Sequence, residues 1–194
     1  MGVIINGKHI SNVRYADDTA LLAESENQLQ QMINNINNCC KKLGMSLNAK
    51  KTKVMVTSKK DTREQLEITV NARLEQLKQY TYLGSLITHD GRCIQEVKKR
   101  IAQAKGAFWK TGELLRGNMN IKLKLRLIKC YVFSVLAYAV ETWTYSIEIK
   151  RRIRAFEMWT YRRMLKISWT ERVTNETVKQ RVNVEEDLVL VLAR

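Results

Sequence analysis

Short apolar runs broken by turn residues fill the first ninety positions of this chain, and apolar stripes at helical spacing fill the rest. Val3-Ile4-Ile5-Asn6-Gly7-Lys8-His9-Ile10 reads as a short strand that ends at an Asn-Gly turn. Ser11 to Ala23 reads as two strands folded about Asp17-Asp18. Leu29, Met32, Ile33, Ile36, Cys40 and Leu43 recur at intervals of about one helical turn. With Ser25 as N-cap and Gly44 as stop, they predict a helix over 26–43. Val54-Met55-Val56 is a brief strand, Ser58 to Arg63 a polar, mobile loop, and Leu66 to Val70 alternates with a period of two. Tyr80 to Thr88 reads as one more strand, closed by Asp90-Gly91.

After Gly91 the period changes. Ile94, Val97, Ile101, Ala104 and Phe108 step by three or four, with Gly106 and Gly112 weakening the far end. Leu123 to Val140 predicts one long apolar helix, and Ile149, Ile153, Phe156 and Trp159 mark another. The fold class expected is therefore α+β, an antiparallel sheet with one packed helix over 1–91 and a helical region over 92–182. Residues 183–194 are expected to form a divergent or truncated tail whose Leu188–Leu192 run is an exposed, adhesive segment.

Charge sharpens this division. The net charge is +15, and 19 Lys/Arg against 6 Asp/Glu between Arg92 and Arg172 account for +13 of it. Such an excess favours polyanions, nucleic acid ahead of an anionic membrane. Four cysteines without a CxxC pair, and two histidines, exclude a regular zinc site and a disulfide framework, so the thiols are read as reduced and intracellular. No apolar run approaches the ~20 residues that span a bilayer, and the N-terminus does not read as a signal peptide.

The candidate chemistry lies at Tyr15-Ala16-Asp17-Asp18. Strand alternation puts Tyr15 and Asp17 on one side and Ala16 and Asp18 on the other, a rule that relaxes at a hairpin tip. Two adjacent carboxylates repel unless a cation intervenes, and magnesium takes such oxygen ligands together with phosphates and water. The simpler reading is an Asp-rich turn.

Here the residues resemble a family. Tyr15-Ala16-Asp17-Asp18 resembles the YADD motif of reverse transcriptases. Gly44-Met45-Ser46-Leu47-Asn48-Ala49-Lys50-Lys51-Thr52 is similar to the family's G-L-x-L-N-x-x-K-T segment, and Tyr82-Leu83-Gly84-Ser85 to its primer-grip turn. The three occur in family order. Glu141 to Thr144 and Phe156 to Leu165 further resemble the post-palm region of non-LTR (LINE-type) retrotransposon polymerases, so the resemblance covers roughly residues 3–182. It implies a partial palm over 1–91 and a thumb-like region over 92–182, acting on an RNA template and a DNA primer.

By the resemblance, Asp17 and Asp18 are the catalytic, magnesium-binding carboxylates. Lys51 or Lys53 lies near the leaving pyrophosphate, or on a solvated strand edge. Tyr82 and Gly84 belong to the primer grip, with a half-buried strand aromatic as the plainer role for Tyr82. The family's site also needs an aspartate from an earlier palm strand and the fingers. No Asp or Glu precedes Asp17, and Asp61 and Asp90 match no family position. The expectation is a fragment that binds magnesium weakly or not at all and is inactive alone, its upstream portion missing if the chain is clipped.

The basic clusters are Lys98, Lys99 and Arg100, then Lys122, Lys124 and Arg126, then Arg151, Arg152 and Arg154, then Arg162, Arg163 and Lys166. They are expected to contact template–primer phosphates, or else to be a solvated face. Trp109, Trp143, Trp159 and Trp169 interleave with them, as stacking platforms or as core. A non-catalytic RNA- or DNA-binding remnant is the main alternative, and a membrane-surface or protein-interaction domain the weaker one. Nucleus and cytoplasm are the expected locations.

Overall fold

The computed structural model describes residues 2–58 and 65–193 and has an α+β architecture. Most of the expected loop from Ser58 to Arg63, Asp61 included, lies outside the described residues. The chain divides into two compact units, Met1–Tyr80 with Thr88–Gly91, and Thr81–Ile87 with Arg92–Arg194.

In the first unit, β1 (Val3–Ile5) and β2 (Lys8–Ile10) pair antiparallel, with Val3 opposite Ile10. The expected single strand is therefore a hairpin. Asn6 and Gly7 both take positive φ, 49° and 75°, which reverses the chain in two residues. A second hairpin joins β3 (Asn12–Tyr15) to β4 (Asp18–Leu21). Helix α1 (Glu26–Lys42) follows, with the Ser25 hydroxyl accepting from the Gln28 amide as its N-cap. Gly44 (φ 70°) ends it, as the sequence predicts.

The remaining strands of this unit are short. β5 (Lys53–Val54) runs parallel to β8 (Glu75–Gln76), while β6 (Thr69–Val70) and β7 (Ala72–Arg73) form a tight hairpin. The alternating Leu66–Val70 run forms a strand only at its end, and the hydrogen bonds give the reason. Helix α1 satisfies this backbone with side chains: Glu26 accepts from the Glu67 amide at 2.6 Å. The Gln30 amide both accepts from Thr69 N–H and donates to Thr69 C=O, each at 2.9 Å. Gln76 accepts from Leu66 N–H. Donors engaged by side chains leave no ladder for a partner strand. Ile33, Val54, Ile68, Val70 and Leu74 form the small core beneath.

β9 (Gln79–Tyr82) and β10 (Ser85–Thr88) replace the single strand expected over Tyr80–Thr88, because Leu83 (φ 47°) and Gly84 (φ 81°) reverse the chain.

The second unit is helical. α2 (Ile94–Lys110) buries Val97, Ala104 and Phe108 and continues through Gly106, at whose position an added Cβ would meet nothing within 4 Å. The break comes at Thr111, before α3 (Gly112–Arg116). The long helix expected from Leu123 to Val140 is segmented into α4 (Ile121–Ile128), a wide π turn (Lys129–Phe133) and α5 (Ser134–Leu136). Ala139 (φ 58°) then ends the run. α6 (Ile147–Met164) supplies Ile149, Ile153, Phe156 and Tyr161 to a core shared with Ile128, Val132 and Leu136. α7 (Asn175–Val182) and α8 (Leu188–Leu192) complete the chain.

The terminal segment corrects the sequence expectation. Leu188 and Val189 are buried, and only Leu190 and Val191 of this run are largely exposed. Asp187 caps α8 and pairs with Arg154 at 2.7 Å, while buried Glu157 accepts from Leu188 N–H and Leu192 C=O accepts from the Tyr145 hydroxyl. Among the described residues no helix is long and apolar enough to cross a membrane.

Candidate functional site

The acidic pair lies at the tip of the β3–β4 hairpin. The two turn residues are Ala16 and Asp17, not Asp17 and Asp18, because Ala16 takes the left-handed conformation (φ 51°). Asp18 is thereby the first residue of β4, directly opposite Tyr15. Cross-strand partners project from the same face, so Asp18 sides with Tyr15. Tyr15 is 65% exposed, and both aspartates are exposed. Leu22 N–H donating to Ser11 C=O extends the ladder at the base, and Leu21 packs against the small core. A rooted two-stranded stalk thus carries two carboxylates into solvent. Among the described residues no cluster of three potential metal ligands forms.

Behind α1, the Leu47–Thr52 segment is a self-capped turn. The Asn48 side chain accepts from Lys50 and Lys51 N–H at 3.1 and 3.2 Å, and its carbonyl accepts from both the amide and the hydroxyl of Thr52. Leu47 and Ala49 pack on the core. This accounts for Leu-Asn-x-x-Lys-Thr in local terms: an apolar anchor, an Asx turn and a threonine that closes it. Lys51 is left exposed. Lys53 pairs with Glu75 at 2.6 Å, an exposed contact of the kind worth ~1 kcal/mol or less.

With that geometry in place, comparison with known proteins is informative. Residues 3–87 match the reverse transcriptase (RNA-dependent DNA polymerase) family. The matched stretch contains the acidic hairpin, the Asn48 turn and the Leu83-Gly84 turn. A transposon-derived protein of Caenorhabditis elegans is 25% identical over 182 residues, 93% of this chain. The chain spans 65% of that relative's length. No solved structure matches.

Within the reverse transcriptase match, the Tyr82–Ser85 turn belongs to the helical unit. Three side chains of that unit hold it. Arg100 donates to Gly84 C=O at 2.6 Å, the Tyr138 hydroxyl donates to Leu83 C=O at 2.7 Å, and Glu96 accepts from Leu86 N–H at 2.8 Å. Arg100 also donates to Glu96 at 2.6 Å and lies 4.2 Å from the Tyr138 ring centroid. Leu83 tolerates a left-handed backbone because these bonds fix its own carbonyl and that of Gly84. Gly84 itself admits no side chain easily, since an added Cβ would lie 3.2 Å from the Tyr138 hydroxyl.

This network corrects the expectation for Arg100. It is 7% exposed, and its guanidinium is consumed by Glu96 and Gly84 C=O, so it is a structural residue and not a phosphate contact. The spacing held the signal: a Glu four residues before an Arg makes an intrahelical pair. Arg152 is likewise held by Glu148 at 2.6 Å, a bond that draws the Glu148 carboxyl below its usual range. Arg162 donates to Val173 C=O and Asn175. Arg154 is tied to Asp187. Lys98, Lys122, Arg126, Arg151, Arg163 and Lys166 are exposed, and Lys99 and Lys124 half-buried.

The tryptophans divide too. Trp143 is core, Trp159 is partly covered, and Trp109 stays 56% exposed. The Trp169 side chain lies outside the described part of the structure. Glu96 and Tyr138, which no motif singles out, hold the turn together with Arg100.

Proposed function

We propose that this chain is the C-terminal palm and thumb portion of a reverse transcriptase of the non-LTR retrotransposon kind, and that it does not polymerise alone. One observation carries the reverse transcriptase reading. The acidic pair of the matched segment stands exposed at a hairpin tip, where a metal-bound nucleotide can reach it.

The donor set fits magnesium as a partial site. Asp17 and Asp18 supply carboxylate oxygens, and magnesium is commonly held by one or two carboxylates with phosphates and water filling the octahedron. When bound, the ion would neutralise phosphate charge and acidify a hydroxyl nucleophile. Asp17 and Asp18 would hold it, the Tyr82–Gly84 turn would orient a primer end, and Lys51 would face the anionic leaving group. RNA template and DNA primer are the partners, in the nucleus or cytoplasm.

The exposed lysines and arginines of the helical unit support nucleic-acid binding without catalysis as a second reading. Mn2+ titration followed by amide NMR tests the acidic pair. Line broadening should centre on Ala16 to Thr19, weak without nucleotide and stronger with it, and vanish in Asp17→Asn. Broadening elsewhere only would remove the metal role. Extension of an RNA-templated DNA primer by the purified chain, lost in Asp17→Asn, would overturn the inactivity and keep the role.

A further inference from the structure

The helical unit contains a groove of about 680 Å³ whose lining includes no residue of the Tyr82–Ser85 turn. Phe108 and Trp109 of α2 and Trp159 of α6 form its aromatic wall, and Arg163 and Lys166 stand on its rim. The volume falls within the roughly 300–1,000 Å³ of small-molecule and nucleotide sites.

Two physical features identify its occupant. The aromatic rings are mutually braced: Phe108, Trp109 and Trp159 meet edge-on with centroids 5.1–5.9 Å apart, and Phe156 stacks under Trp159 at 18°. Despite that bracing, more than half of Trp109 remains open to solvent. The groove's charge is of one sign. Arg163 lies 5.4 Å from the Trp109 centroid and 6.0 Å from that of Trp159, and Lys105 lies 5.1 Å from Trp159. No Asp or Glu is among the lining residues. A cation held against an exposed indole stabilises the fold only slightly, whereas a chain of aromatic rings joined by phosphates complements both the open indole and the positive charge.

We propose that this groove binds unpaired nucleotides of a single-stranded nucleic acid, one base stacking on Trp109 while Arg163 and Lys166 meet the flanking phosphates. Stacking reads the π face and not the sequence, so the site is sequence-tolerant. It requires neither the acidic pair nor metal, so it stands or falls apart from the polymerase reading.

The test uses the whole chain in EDTA and fluorescence anisotropy with labelled 12-mers. The ligands are (dA)12, (rA)12, an abasic 12-mer of equal charge, a DNA duplex, and a poly-glutamate peptide as competitor. The single strands should bind about 5- to 100-fold more tightly than the abasic strand, the range that one stacked base supplies. The tighter of (dA)12 and (rA)12 identifies the sugar preferred, and either supports the site. Trp109→Ala should fall to the abasic level, and Trp109→Phe should retain most of the base dependence. Lys166→Gln should weaken both strands alike and lower the salt slope by about one, which tests the site even if Trp109→Ala folds poorly. Equal affinity for abasic strand and (dA)12, equal binding of duplex, or displacement by poly-glutamate at matched charge would each overturn the proposal.

Discussion

Glu157 offers the sharpest test of how the helical unit is held together. It lies on α6, 1% exposed. One carboxylate oxygen accepts from Leu188 N–H and the Tyr161 hydroxyl, both at 3.2 Å. The other has no partner among the described groups. Burial, reinforced by nearby Asp187 and opposed by the Leu188 bond, Lys179 and Tyr161, pushes the carboxyl from 4.5 up to about 7. Burial, reinforced by the same carboxylate, drives the Tyr161 hydroxyl upward. Between pH 4.5 and 7 the folded protein therefore binds more protons here than the unfolded chain does. Stability falls as pH rises through that window and this contribution is flat above it, a total loss of about 3 kcal/mol. Glu157→Gln removes the titration. It keeps an acceptor for Leu188 but leaves an amide N–H unpaired, at a cost of roughly 1 kcal/mol. At pH 8 the variant should be more stable by about 2 kcal/mol, and near pH 4.5 equal or slightly weaker. All four tryptophans lie in the helical unit, so urea unfolding followed by indole fluorescence reads that unit alone. A stability difference that stays constant from pH 4.5 to 8 would refute the reasoning.

Other substitutions probe the turn and the Asx segment. Tyr138→Phe should lower the unfolding free energy of the helical unit, read by urea titration, by about 1 kcal/mol through the lost bond to Leu83 C=O, and Arg100→Met by about 3–5 kcal/mol because it strands buried Glu96. Gly84→Ala should cost about 1–2 kcal/mol through backbone strain at φ 81°, plus crowding of its Cβ against the Tyr138 hydroxyl at 3.2 Å, and Tyr138→Phe should relieve only the crowding in the double variant. Asn48→Ala should cost about 1 kcal/mol in the first unit, read as faster hydrogen exchange at the Lys50 and Lys51 amides. Duplex affinity of the whole chain should fall linearly with salt on logarithmic axes, and Arg100→Lys should leave that slope unchanged, because Arg100 is buried.

The helices were legible in the sequence because their buried sides repeat every three or four residues, as Val97, Ala104 and Phe108 do in α2 and Ile149, Ile153 and Phe156 in α6. The acidic hairpin was legible to within one residue. Its turn centre was misplaced because alanine seldom takes positive φ, so Ala16 gave no sign of the left-handed conformation that starts the reversal. The Leu83-Gly84 reversal was marked by the resemblance to the primer-grip turn but not by the residue pattern, which read Tyr80–Thr88 as one strand because leucine, like alanine, seldom takes positive φ. A leucine in that region is stabilised by Tyr138, 55 positions away, and no local pattern carries that information.

Charge was the least legible quantity, and the reason is general. A run of Lys and Arg in sequence records how many cations exist, not how many remain after the fold has used them. Glu96 and Glu148 claim Arg100 and Arg152 from one turn away, a pairing the spacing could have disclosed. Asp187 claims Arg154 from 33 residues away, and the backbone of Val173 claims Arg162, pairings that only the folded chain reveals. What survives is narrower than the composition suggests: Arg163 and Lys166 beside Trp109, and exposed cations on α2, α4 and α6. If nucleic acid binds this unit, affinity should follow those residues and ignore Arg100, Arg152 and Arg154, although all of them contribute equally to the net charge. A scan in which neutralising any basic residue weakened binding to the same degree would mean that the total charge, and not this arrangement, governs the interaction.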